Sequence, residues 1–169
     1  MNNLINQTGS LLIRLSGGRR RDEKGGKDNE AAIIAATNEF ATRVTTPDDP
    51  NNPNTKDALT RAKWIVECFA EDAKLRPTVG QVIRSNSSTP NIENYFATYF
   101  SASVIKTLAI KNADFNVRRI GPNTYENLAY VQFTSNEKDK TGVPVENEVT
   151  AEMSFIFRKE GSQWKIVLL

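Results

Sequence analysis

The chain contains no histidine and a single cysteine, Cys68. The first absence removes the usual general base near neutral pH, the commonest zinc ligand and every Ser–His or Cys–His nucleophilic pair. The second excludes an internal disulfide framework and a cysteine-built zinc site. No apolar run approaches the ~18 residues that a membrane-spanning helix needs, so a helical membrane span is excluded. The carboxylate pairs Asp48-Asp49 and Glu71-Asp72 lack a recognisable ligand spacing, and neither a metal nor another cofactor is expected. Phosphate-cradling motifs are missing too: Gly17-Gly18 and Gly25-Gly26 are not followed by Lys-Ser/Thr.

What remains is a globular composition. The 169 residues are 38% hydrophobic and 25% charged, enough for one domain and some spare chain. Net charge is only +2, and it is unevenly placed. Residues 1–28 hold Arg14, Arg19–Arg21, Lys24 and Lys27 against three acids, a net +3, so the remainder is close to neutral. A near-neutral body argues against a broad phosphate-binding surface and hence against nucleic acid as a partner. Gly-flanked basic sequence reads as a flexible, solvated arm over 1–28, followed by one domain over 29–169. Two other readings of the arm stay open: an organelle presequence, since no acid precedes Asp22, and a tether to an acidic partner or membrane surface. Arg14 interrupts an apolar segment too short for a secretory signal, and an intracellular, cytoplasmic location is expected.

Hydrophobic periodicity divides the domain into helices and then strands. Ile33, Thr37, Phe40 and Val44 recur at helical spacing, with Asp28 or Asn29 as cap and Pro47 as a stop. A Pro- and Asn-rich loop follows, and Thr55 then caps a second helix with the stripe Leu59, Ala62, Val66 and Phe69, which Cys68 widens as a small core residue. Lys74–Thr78 and Gln81–Ser85 read as a short hairpin around Gly80. Thr89 as cap and Pro90 at the first helical position open a third helix with an aromatic face of Tyr95, Phe96, Tyr99 and Phe100. From Asp114 onward the period is two: Phe115–Ile120, Leu128–Ser135, Val149–Lys159 and Trp164–Leu169 read as strands, with a loop over Asn136–Pro144. Helices followed by hairpin-linked strands give an α+β fold with a curved antiparallel meander.

Alternation sorts the two long strands into faces. One carries Ala129, Val131, Phe133, Ala151, Met153, Phe155 and Phe157. The other carries Leu128, Tyr130, Gln132, Thr134, Thr150, Glu152, Ser154 and Ile156. Neither face is charged throughout, as the open side of a monomeric sheet should be. One side therefore packs on the helices and the other needs a second copy or a filled cavity, which predicts a homo-oligomer joined through a sheet face. Tyr130, Gln132, Glu152 and Ser154 project together, and helices covering part of a curved sheet would leave them lining a concave pocket for a small ligand. Enclosed there, Glu152 would be a candidate acid or base, with Tyr130 or Tyr95 as hydrogen-bond donor and Gln132 and Ser154 contacting the ligand.

Several local phrases resemble a known family. Phe69-Ala70-Glu71-Asp72-Ala73-Lys74-Leu75, Ile92-Glu93-Asn94-Tyr95-Phe96 and the terminal hairpin Phe157–Val167, with its Gly161-x-x-Trp164-x-Ile166, are similar to the nuclear transport factor 2-like, or SnoaL-like, superfamily. Leu128–Thr134 resembles the association (hub) domain of calcium/calmodulin-dependent protein kinases. The resemblance implies a cystatin-like, cone-shaped α+β fold whose curved sheet wraps N-terminal helices, dimers or larger rings built through the sheet, and a deep pocket. It does not fix function, since this fold hosts enzymes, carriers and scaffolds. Hub-domain pockets carry arginines where Gln132 and Ser154 stand here, and the histidine of several catalytic members is absent. The expectation is a non-catalytic oligomerising or ligand-binding module. The alternative is a lyase or isomerase with Glu152 as base and Tyr130 as donor.

Overall fold

The computed structural model describes residues 22–45, 58–88, 90–111, 116–138 and 140–169. Helix α1 spans Asp22–Thr45, α2 Ala58–Val66 and α3 Ile92–Ala102. The strands are β1 Phe69–Leu75, β2 Ile83–Arg84, β3 Ser103–Lys111, β4 Val117–Gly121, β5 Thr124–Lys138, β6 Pro144–Glu160 and β7 Gln163–Leu168. They form one sheet in the order β2-β1-β7-β6-β5-β3, with β4 pairing to the first residues of β5. All pairs are antiparallel except β1 with β7, so the sheet is mixed rather than a pure meander. Register shifts in four of the six ladders are the irregularities that bend such a sheet.

The helical stripe read from the sequence is the one α1 buries: Ile33, Thr37, Phe40, Ala41 and Val44 all face the core. The helix begins earlier than expected, however. It takes in Asp22–Asp28, which the sequence reading gave to the arm; the basic residues up to Arg21 lie outside the described residues. So do the Pro- and Asn-rich loop, Thr55 and Thr89.

Two boundaries move for clear reasons. Helix α2 stops at Val66, where the Cys68 N–H donates to the Ile65 carbonyl at 3.0 Å, and Phe69 opens a strand instead of closing a helix. Phe69 fits either element, and its pairing with Ile166 of β7 decides the matter. Helix α3 is capped by Asn91, whose Oδ1 accepts the Asn94 N–H at 2.8 Å. Directly after α3 comes β3, a strand the two-residue period did not reveal. In turn, β5 and β6 run on through most of the expected loop, pairing as far as Lys138 with Pro144. At the β4–β5 turn Asn123 takes a left-handed φ of 53°, a conformation Asn tolerates better than most residues.

The core is aromatic. Phe40 of α1 packs edge-on against Phe69, Phe96 and Phe155, with ring centroids 5.8 to 6.3 Å apart. Phe96 stacks on Phe100 at 6.0 Å and Phe155 on Phe157 at 6.2 Å. Each such side chain contributes roughly 2–3 kcal/mol on burial. Together they fill the space between the helices and the inner face of the sheet. Buried Arg61 of α2 ties the two helices together: it donates to the Val44 carbonyl near the C-terminal end of α1 and lies 4.1 Å from the Phe100 ring centroid.

Candidate functional site

The β5–β6 ladder sets the two faces. Its register pairs Ala129 with Met153, Val131 with Ala151 and Asn127 with Phe155 on the inner side, and Leu128 with Ser154, Tyr130 with Glu152 and Gln132 with Thr150 on the outer side. The face lists read by alternation are thus the faces of the folded sheet. Ala129, Val131 and Phe155 are fully buried. On the outer face Tyr130 is 55% exposed, Gln132, Thr150, Glu152 and Ser154 are exposed, and Leu128, Thr134 and Ile156 are half-buried.

Four of the five residues singled out from the sequence therefore stand together, on the outside of the sheet rather than in a hollow beneath it. Tyr130 and Glu152 are cross-strand partners, and Ser154 Oγ donates to Glu126 Oε1 at 3.1 Å. Tyr95 is apart from them, on α3 in the helical layer, where its ring meets Phe96 edge-on at 5.5 Å. Burial pushes its phenol above the ordinary tyrosine range, with neighbouring Tyr99 adding to the shift.

The inner face carries a polar group that sequence reasoning missed. Asn127 Nδ2 donates to Thr37 Oγ1 at 2.9 Å, and Thr37 in turn donates to the Ile33 carbonyl at 2.9 Å; both residues are fully buried. Two turns before Thr37 on α1, Asn29 Nδ2 donates to the Tyr125 hydroxyl at 3.2 Å. The signal was the parity of β5: Tyr125 and Asn127 share the side of Ala129, but a strand begun at Leu128 leaves them out. These contacts fix the position of α1 along the sheet.

A half-open cleft of about 540 Å³ runs along the flank of α1. Ala32, Ala35 and Ala36 form one wall and Phe157 with Trp164 the other; Glu39, Arg43, Glu67, Cys68 and Lys165 gather around the polar part. Both terminal nitrogens of the Arg43 guanidinium are engaged. The group donates to Glu39 at 2.6 Å, to Glu67 at 2.8 Å and to the Trp64 carbonyl, and it sits 5.2 Å from the Trp64 ring centroid. Lys165 Nζ donates to the Glu67 carbonyl at 2.5 Å. Burial pushes the Cys68 thiol up to about 11, with nearby Arg43 only partly opposing it, so the sulfur is protonated at neutral pH. The cleft sets alanines and two aromatic rings beside a self-compensated charge cluster, a mixed polar and apolar lining. No helix among the described residues is long and apolar enough to cross a membrane.

No protein-family model matches the chain, and no curated protein matches it in sequence. Solved structures do match. A protein of Xanthomonas campestris, assigned by name as a calcium/calmodulin-dependent protein kinase II association domain, is 21% identical over 80% of this chain and 81% of its own, with a TM-score of 0.51. A ketosteroid isomerase-like protein of Erwinia carotovora is 14% identical over 83% of this chain and 92% of its own, with a TM-score of 0.62. A nuclear transport factor 2-like protein of unknown function from Prochlorococcus is 14% identical over 82% and 88%, with a TM-score of 0.56. With helices closed over one face of a mixed, mostly antiparallel sheet, the chain has the nuclear transport factor 2-like (SnoaL-like), cystatin-like α+β fold.

Proposed function

We propose that the protein is a non-catalytic oligomerising module that pairs with a second copy through the outer face of β5 and β6. The observation that carries this reading is the makeup of that face: half-exposed Tyr130 amid Leu128, Ile156, Gln132, Thr134, Thr150 and Ser154, with Glu152 exposed among them and Glu126 held by Ser154 and Arg118. Such a strip, with an exposed tyrosine set among small polar and half-buried apolar side chains, is suited to a self-complementary contact about a two-fold axis. The Xanthomonas neighbour, named for association, is in keeping with it. Tyr130 is the expected anchor, since exposed tyrosines at the centre of an interface carry a large share of its energy.

Sedimentation equilibrium at micromolar concentration tests the proposal. A dimer or larger closed species is expected, and Tyr130→Asp should weaken it by about thirtyfold, the equivalent of roughly 2 kcal/mol. A strict monomer overturns it. The cleft along α1 supports a ligand-binding role beside this one, its volume being that of an ordinary small-molecule site. Enhanced emission of an amphipathic dye on binding, lost in Ala36→Phe, is the expected result, and a dye signal unchanged by that substitution would remove the cleft's role. A proton-transfer role for Glu152 and Tyr130 has in its favour that they are cross-strand partners; we assign both to the interface because they are exposed in the single subunit.

A further inference from the structure

The outer face is segregated in charge along its diagonal. At one side of the sheet Lys74 of β1 stands directly opposite Arg84 of β2, and Arg76 follows on the same side of the chain. Their inner neighbours Leu75 and Ile83 are buried, while Arg76 and Arg84 are exposed. Like charges facing each other across an antiparallel pair are destabilising unless something negative lies between them. The sequence from Ala73 to Ile92 contains no carboxylate. Asp72, next along this side of β1, is already held by Arg158 at 2.7 and 3.1 Å. Leu169 meets Arg76 through the main chain, accepting its N–H at 2.6 Å.

Toward the opposite corner, the outer side of β6 presents Glu146, Glu148 and Glu152, all exposed. Lys111 stands in the same row as Tyr130 and Glu152, and Lys140 lies in the hairpin tip. The strip between the two corners holds Leu168, Ile156, Leu128 and Tyr130. Lys74 is in register with Leu168, and Leu168 with Ile156. From that row Glu152 and Glu148 are four and eight residues along β6, or about 13 and 27 Å, while β1 and β6 are about 10 Å apart across β7. The midpoint of the diagonal falls near Leu128 and Ser154, where the one nearby carboxylate, Glu126, is already held by Ser154 and Arg118.

We infer that the pairing proposed above has a fixed orientation, in which Lys74, Arg76 and Arg84 of one copy face Glu148 and Glu152 of the other. This inference rests on that pairing. A two-fold axis lying between the sheets and across the diagonal places each cationic corner over an acidic one, and does so twice. An axis along the diagonal would stack cations on cations and acids on acids. Charge thus selects one docking of a face whose apolar strip alone would permit several.

Charge exchange tests this directly. At low salt, K74E/R84E and E148K/E152K should each weaken self-association about tenfold or more, because each turns both contacts repulsive. An equimolar mixture should restore dimers, since both contacts are then attractive, and high salt should erase the differences. Far-ultraviolet circular dichroism checks folding; should K74E/R84E not fold, R76E mixed with E148K/E152K takes its place. Dimers of wild type that ignore the reversals, with no heterodimer on mixing, would overturn the orientation and leave the pairing standing. A monomeric wild type would remove the pairing itself.

Discussion

The two sides of the β5–β6 ladder are built from alternate residues of the same strands, yet they have opposite fates. Inward, Tyr125, Asn127, Ala129 and Val131 are buried against α1 and the phenylalanine cluster. Outward, the residues between them leave Tyr130 and Gln132 in water. A sheet with one solvated side normally shows charge along that side. Here the outward side is charged at two corners and nearly neutral between them. The contrast separates what a single chain completes by folding from what it leaves for a neighbour.

The largest expected effect breaks the inner side. Phe155→Ala should lower the free energy of unfolding by about 3–5 kcal/mol in urea titration, whereas Thr150→Ala, outside, should change it by less than about 0.5 kcal/mol. Comparable losses would mean the two sides are not distinct. Next, Asn127→Ala and Thr37→Val should each cost about 1–3 kcal/mol, the double variant less than their sum. Additive losses would show that the buried bond does not join helix to sheet.

Smaller effects sharpen the picture at the rim. Cys68 should alkylate far more slowly than a free thiol at pH 8, with its rate rising toward pH 11. Because its folded pKa lies above the unfolded one, stability should fall as pH climbs from about 9 to 11. Reaction at the rate of a free thiol would refute its burial. Asp72→Asn should matter least. Arg158 holds that carboxyl below the usual range, so its contribution is present above about pH 4 and fades as pH falls further. Both side chains are well exposed, so screening should limit the loss to about 0.5 kcal/mol or less, checked by acid titration of the melting temperature.

Much of the sheet was legible from its period of two. The alternation of Ala129, Val131, Phe155 and Phe157 against Tyr130, Gln132, Glu152 and Ser154 named both faces correctly, because one-sided burial writes itself into every second residue. What alternation could not supply was which face looks into a hollow, and the residues expected in a pocket stand outside. Strand β3 escaped because Val104, Ile105 and Leu108 continue the apolar spacing of α3, so local pattern does not mark the switch. Phe69 was assigned to a helix for the same reason. Its strand depends on Ile166, far along the chain, in the one parallel ladder of the sheet. The cleft was equally hidden, since it joins the flank of α1 to the β6–β7 hairpin and the turn holding Cys68. No local sequence motif spans those three segments.

Radical footprinting of Tyr130 across a dilution series is the most direct test of the outer face. The account predicts that labelling of Tyr130 is suppressed at micromolar concentration and rises as the protein is diluted through its dissociation constant, while half-buried Tyr95 on α3 stays constant. Labelling of Tyr130 that is the same at every concentration would contradict it.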